Sequence, residues 1–160
     1  MKRIILLFLT ILLSSCTVAN LKDTAQIEEN HGVMLVKFIP NNHGYFISTV
    51  SKENHTVGSA FIRIKSSNNL SVLSLPEGAY IWKGFYSTKG YAEFKNEFGF
   101  KIETNRINYI GDISININFP EGEYKLTFKN DPNTIDEFKE LYPVLSKSLP
   151  ITENITSVFN

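Results

Sequence analysis

Ile113-Ser114-Ile115-Asn116-Ile117-Asn118-Phe119 decides the fold class of this chain. Apolar and polar residues alternate without a break, which is the period of a strand with one dry face and one wet face. Pro120-Glu121-Gly122 follows with turn chemistry, and Tyr124, Leu126 and Phe128 then resume the same period. The two runs predict a β-hairpin across the Pro120 corner. Upstream, Gly111-Asp112 interrupts the apolar run that starts at Arg106, and a glycine there marks a bulge or bend.

The corner has a second copy. Leu75-Pro76-Glu77-Gly78-Ala79-Tyr80 precedes Phe119-Pro120-Glu121-Gly122-Glu123-Tyr124 by forty-four positions. In each, proline presets φ for the first corner position, glycine tolerates the exit, and an aromatic residue begins a return strand. Both read as strand-to-strand corners, with return strands over residues 80–86 and 124–129. The flanking sequences do not match, so whole units are not repeated. Other strand signals lie at residues 33–39, β-branched and apolar and stopped by Pro40, and at 45–50 after the turn residues Asn41-Asn42-His43-Gly44. That pair predicts a hairpin. Residues 59–65 alternate with Ala60, Ile62 and Ile64 on one face, Leu73 and Leu75 share a face within residues 70–75, and 98–102 is a further strand.

The period changes after Asn130. Asp131-Pro132 supplies a cap and a first-turn proline, Thr134 with Glu137 fits a capping box, and Ile135, Phe138, Leu141 and Tyr142 share a helical face. These residues predict one short helix over 133–146, interrupted at Pro143, packed on the sheets or covering an edge strand. Residues 150–160 form a tail with one short strand within 151–158. The sum is a mainly β chain: an antiparallel β-sandwich over residues 31–160, with one short C-terminal helix.

Pro76-Glu77-Gly78-Ala79 resembles the signature of PEGA-type domains, and residues 75–91 look like the Leu-Pro-x-Gly-x-Tyr corners of transthyretin-like sandwich domains. The resemblance implies a transthyretin-like or immunoglobulin-like sandwich and brings no active site with it. It departs from the PEGA pattern in placing the corner mid-domain, without a clear glycine-bearing strand before it. Small bacterial lipoproteins of unknown function are similar over residues 100–112, including Tyr109-Ile110-Gly111-Asp112.

The first sixteen residues carry an address. Lys2 and Arg3 precede a run from Ile4 to Leu13 that is apolar apart from Thr10. That order is a secretory signal, and a run of about ten residues is half the length a membrane-crossing helix needs. Leu13-Ser14-Ser15-Cys16 resembles the lipobox of bacterial lipoprotein precursors, which implies cleavage before Cys16 and diacylglycerol on its thiol. Two other readings are a buried core thiol and a free thiol near an ordinary cleavage site. The chain has one cysteine, so an intramolecular disulfide is impossible, and an unpaired thiol in an oxidising envelope is a liability that lipidation removes. Multiple acyl chains on one residue meet the two-signal requirement for stable anchoring. Residues 1–15 are then the signal peptide and 16–30 the lipidated N-terminus and a tether, since 17–30 has few apolar positions to bury. Thr17, where an aspartate would signal inner-membrane retention in Gram-negative sorting, directs the expectation to the outer membrane, facing the periplasm.

Loss of Lys2 and Arg3 leaves fourteen basic against sixteen acidic residues, a net charge of −2. That balance opposes nucleic acid as a partner, because phosphate binding needs a basic face. His31, His43 and His55 are spaced by twelve, and no pair has the close spacing that brings two metal ligands together, so no metal or cofactor is expected. Asp112 beside Gly111 is a candidate carboxylate, although bulge positions favour aspartate for local hydrogen bonds. No nucleophile elbow or phosphate-cradling loop is present. The aromatic cluster Tyr80, Trp82, Phe85 and Tyr86, with Tyr91 and Phe94, offers either sandwich core or a stacking surface for a glycan or an envelope protein. The functional expectation is a lipid-anchored, non-catalytic structural or binding module of the cell envelope. A small inhibitor or immunity-type lipoprotein, or an enzyme acting on envelope polymers, are its rivals.

Overall fold

The computed structural model describes residues 20–39, 45–51, 60–64, 70–87, 90–118 and 123–158. The signal, Cys16, the turn at 41–44, His55 and the second Pro-Glu-Gly corner lie outside them. The described chain runs β1 (His31–Ile39), β2 (Tyr45–Ser51), β3 (Ala60–Ile64), β4 (Leu70–Pro76), β5 (Gly78–Ser87), β6 (Gly90–Ile102), β7 (Ile107–Asn118), β8 (Glu123–Lys129), α1 (Pro132–Leu141), α2 (Pro143–Ser148), β9 (Ile151–Glu153) and β10 (Ser157–Val158). It is mainly β, with two sheets and two short helices.

The strands sort into a central sheet, ordered β4-β1-β7-β8 with β9 also on β7, and a front sheet, ordered β10-β6-β5-β2-β3. The expected β7–β8 hairpin is present, with Ile113 opposite Phe128 and Ile115 opposite Leu126. The hairpin expected between β1 and β2 is not: these strands lie in different sheets. β1 instead pairs antiparallel with β4 and parallel with β7. β9 is also parallel to β7, so the purely antiparallel expectation is corrected to a mixed central sheet. The reason lies in β1 itself. Val33, Met34, Leu35, Val36 and Phe38 are all buried, a continuous apolar run that suits a central strand covered on both faces, as parallel strands are.

Those two faces belong to two cores. Met34, Val36, Phe38, Leu73, Leu75, Ile110, Ile113 and Ile115 of the central sheet meet Tyr80, Trp82, Phe85, Phe100 and Ile102 of the front sheet. This is the filling of a sandwich. Val33, Leu35, Leu70, Val72, Ile107 and Tyr109 point the other way and pack with Phe138 of α1 and Leu145 of α2. The molecule is therefore three layers deep: front sheet, central sheet, helices.

Three local features build these layers. At the first Pro-Glu-Gly corner the chain leaves β4 of the central sheet and enters β5 of the front sheet, with Gly78 at φ 149°. The Tyr80 hydroxyl donates to the Pro76 carbonyl at 2.8 Å and ties that corner. Gly32 lets the turn after β6 press onto β1, because a Cβ there would collide with the Glu103 carbonyl oxygen. The tail, expected to hold one strand, splits in two: β9 joins the central sheet and β10 the front sheet. Between them, the Thr156 hydroxyl donates to the Ile110 carbonyl at 3.0 Å and accepts from the Trp82 indole at 3.4 Å.

The helical segment is two helices rather than one. Pro143 lacks the N–H that would continue α1, and the chain breaks at Tyr142 before α2 begins. Asp131 caps α1 as expected, accepting from the Asn133 N–H at 3.0 Å. Thr134 and Glu137 do not form a capping box. Both reach to the central sheet.

Candidate functional site

The aromatic strand settles inside the sandwich. Tyr80, Trp82 and Phe85 are 1%, 2% and 2% exposed, so they present no stacking surface and fill the inter-sheet core. Tyr80 stacks on Phe100 at 5.5 Å, and Trp82 meets Phe100 at 5.0 Å and the edge of Phe38 at 6.0 Å. Burial pushes the Tyr80 phenol up to about 12. Tyr86 pairs through its backbone with Phe46 and Tyr91; its side chain is outside the description. Alternation alone could not choose between core and surface here, because both faces of a front strand carry large residues.

Asp112 has a partner set that the sequence did not reveal. The pairing of β1 with β7 shifts between Leu35–Tyr109 and Lys37–Asp112, so β7 carries one extra residue, and Gly111 takes φ 100° within that step. The extra residue flips side-chain parity. Ile110 and Ile113 thereby both face the sandwich, while Tyr109 and Asp112 both face the helices. The Tyr109 hydroxyl donates to Asp112 Oδ1 at 2.7 Å, and the Thr134 hydroxyl of α1 donates to Oδ2 at 3.0 Å. The Asp131 N–H donates to the Tyr109 oxygen at 3.1 Å. Burial, and then the bond to Asp112, hold the Tyr109 phenol well above its ordinary value.

This network fastens a helix to a sheet. Asp112 is 3% exposed and both of its oxygens are engaged, so it is no free base or nucleophile. At its margin, Lys37 of β1 donates to Glu137 of α1 at 2.6 Å, and that bond holds the lysine above its ordinary value. Asn108, also buried, is saturated in the same way. Its side chain donates to the carbonyls of Glu103 and Val33 and accepts from the Glu103 N–H and from Asn154. Among the described residues no three histidine, cysteine, aspartate or glutamate side chains converge on a point where a metal could sit. Half-buried His31 lies 3.8 Å from the exposed Glu28; His43 and His55 are outside the described residues.

The segment expected to be a free tether is docked from residue 20 onward. The Asn20 side chain donates to the Leu70 carbonyl at 2.8 Å and accepts from the Val72 N–H at 3.0 Å, and the Leu21 N–H donates to the Val72 carbonyl. Leu21 and Ile27 pack against the helix-side core. Asp23 supplies the cap that α2 lacks locally: its carboxylate accepts from the Val144 N–H at 2.9 Å and the Leu145 N–H at 3.0 Å. Acidic oxygens at a helix N-terminus satisfy the orphan donors and oppose the dipole. The sequence hint was the apolar pair Leu21 and Ile27, too sparse to predict a strand or a helix.

No protein-family model matches this chain, and no curated protein matches it significantly. Among the described residues no helix is long and apolar enough to cross a membrane.

Proposed function

We propose that the chain is a lipid-anchored protein of the cell envelope that works without catalysis, as a structural or binding module. The observation that carries this reading is Leu13-Ser14-Ser15-Cys16 behind a basic start and an apolar run. The saturated state of Asp112 and Asn108, the buried polar side chains most suggestive of chemistry, supports the non-catalytic half. The outer membrane, with the body in the periplasm, is the proposed address. The fold proposed with it is a sandwich of the transthyretin-like or immunoglobulin-like kind, in which the central sheet is mixed and carries helices on its far face.

A second reading, an inhibitor or immunity-type lipoprotein that occupies a partner's cleft, gains support from β6. Between the pairs Trp82–Phe98 and Gly84–Glu93, four residues of β6 stand opposite Lys83 alone. Phe94 of that bulge is buried, whereas Lys95, Asn96 and Glu97 are exposed, and Tyr91 nearby is an exposed aromatic. Such a projection suits insertion into a concave partner.

Cross-linking of the tagged chain in native membranes, with Cys16→Ala as the unlipidated control, tests both readings. Acyl groups on the N-terminal peptide and a discrete partner absent from the control are the expected result. An unmodified Cys16 would overturn the anchor. Lipidation without any captured protein would overturn a protein-binding role and direct the search to glycans.

A further inference from the structure

We propose that the corner between α1 and α2, built on Leu141 and Val144, is the surface that rests on the bilayer. The inference rests on the lipid-anchor reading and adds to it an orientation. Leu141 was expected to lie on the buried face of the helix. It is 49% exposed, and Val144, two residues past the break, is 50% exposed with Pro143 exposed between them. These are large apolar side chains left half-exposed at the corner.

The position of the chain's entry selects what covers them. The described chain begins at Asn20, which is fastened to β4. Three residues further on, Asp23 holds the Val144 N–H itself. Only residues 17–19 separate Asn20 from Cys16. Four Cα steps of extended chain reach about 14 Å at most, little more than the diameter of one helix. A lipidated Cys16 therefore cannot hold the body away from the membrane, and the elements around Asn20 must meet the headgroups. The corner is the apolar part of that neighbourhood.

The charge around it says what kind of contact this is. Lys139 is bonded to Asp136, and exposed Lys147 is offset by exposed Glu140. Exposed Lys22 stands next to Asp23, so the described residues here carry no basic excess of the sort that binds anionic headgroups. The contact is apolar insertion at the interface, which serves to orient an already anchored body.

The test uses the full lipidated chain in phosphatidylcholine vesicles with and without phosphatidylglycerol, its acylation first established by intact mass. A nitroxide is placed at Val144→Cys, at Leu141→Cys, or at Lys101→Cys. Lys101 lies between buried Phe100 and Ile102 on the front sheet and so points away from the helices. Acylation consumes Cys16, leaving each introduced thiol unique. The expected result is a several-fold higher ratio of collisions with oxygen to collisions with a water-soluble nickel chelate at 144 and 141 than at 101, in both vesicle types. Equal ratios in acylated protein would overturn the proposal while leaving the anchor intact. Enrichment only with phosphatidylglycerol, or mutual broadening of two nitroxides from paired copies, would also overturn it. A mass without acyl groups would overturn the anchor and this proposal together.

Discussion

The two faces of the central sheet are held by different physics. Toward the front sheet the contacts are apolar and aromatic, and the only hydrogen-bonded bridge across that core among those described runs from Trp82 through Thr156 to Ile110. Toward the helices, the N-terminal residues 20–27 meet the C-terminal run of α1, α2 and the tail. There the apolar packing is laced with directed bonds from Asp112, Thr134, Tyr109 and Asp23. Area burial is non-directional and forgives small errors of placement. Buried polar bonds do not, because each unmade one leaves a desolvated group. The sandwich side thus supplies bulk stability, and the helix side supplies registration of the segments that join the body to its N-terminus.

Removing the largest side chain from the sandwich side gives the biggest expected effect. Trp82→Ala deletes a fully buried indole touching Phe38 and Phe100, and is expected to cost about 3–5 kcal/mol in urea unfolding. A loss no greater than that of a surface substitution would break the assignment of bulk stability to this face. Asp112→Ala comes next. It leaves the Tyr109 and Thr134 hydroxyls without their buried acceptor, and should cost about 2–3 kcal/mol. Thr134→Val, which removes one donor and keeps the other pair, should cost clearly less. The sharper readout is spectroscopic: in Asp112→Ala the emission of Trp82 should stay that of a buried indole while α1 amides lose hydrogen-exchange protection. Concerted loss of both would show that the two faces form one unit.

The same division decides what could be read from the sequence. Alternation in residues 113–118 and 124–128 located β7, β8 and their hairpin, because one period-two face is a local property. The partners of β1 were not local. An all-apolar strand is compatible with either edge, and the sequence between β1 and β2 carries turn residues whether it closes a hairpin or crosses to another sheet. Parity on β7 was hidden by Gly111: the glycine flagged a bulge, but only the pairing with β1 shows that it turns Tyr109 and Asp112 to the same side. Thr134 and Glu137 matched a capping box by spacing, yet their oxygens found better partners on β7 and β1. Local chemistry proposes such bonds, and tertiary placement reassigns them.

Asp23 tests whether the helix side truly reaches the N-terminal segment. Its carboxylate is the only side-chain cap described for α2, and Asp23→Ala should cost about 1 kcal/mol, the usual loss for an N-cap. The loss should be concentrated in the amides of Val144 and Leu145, whose exchange should rise toward that of an uncapped helix end. Asp23→Asn retains an acceptor oxygen and should recover most of the protection. Unchanged exchange in Asp23→Ala would mean that the N-terminal segment lies against the helices without holding them.

The smallest effect belongs to Lys37 and Glu137, which join β1 to α1 beside the β7–α1 link of Asp112 and Thr134 but at the rim, where the side chains are 32% and 37% exposed. Water screens a pair so placed, so Lys37→Met should cost about 0.5 kcal/mol at low salt and less at high salt. The pH dependence has a defined sign. The bond to Glu137 raises the lysine above its ordinary 10.5, so the folded state holds the proton more tightly than the unfolded chain. The stabilisation is fully present below about pH 10.5 and is lost as pH climbs through the folded value. The gap between wild type and Lys37→Met should therefore narrow as pH climbs through the folded value of the lysine. A gap that instead persists at high salt and high pH would show that the lysine stem, packed over the rim of the network, contributes more than its charge.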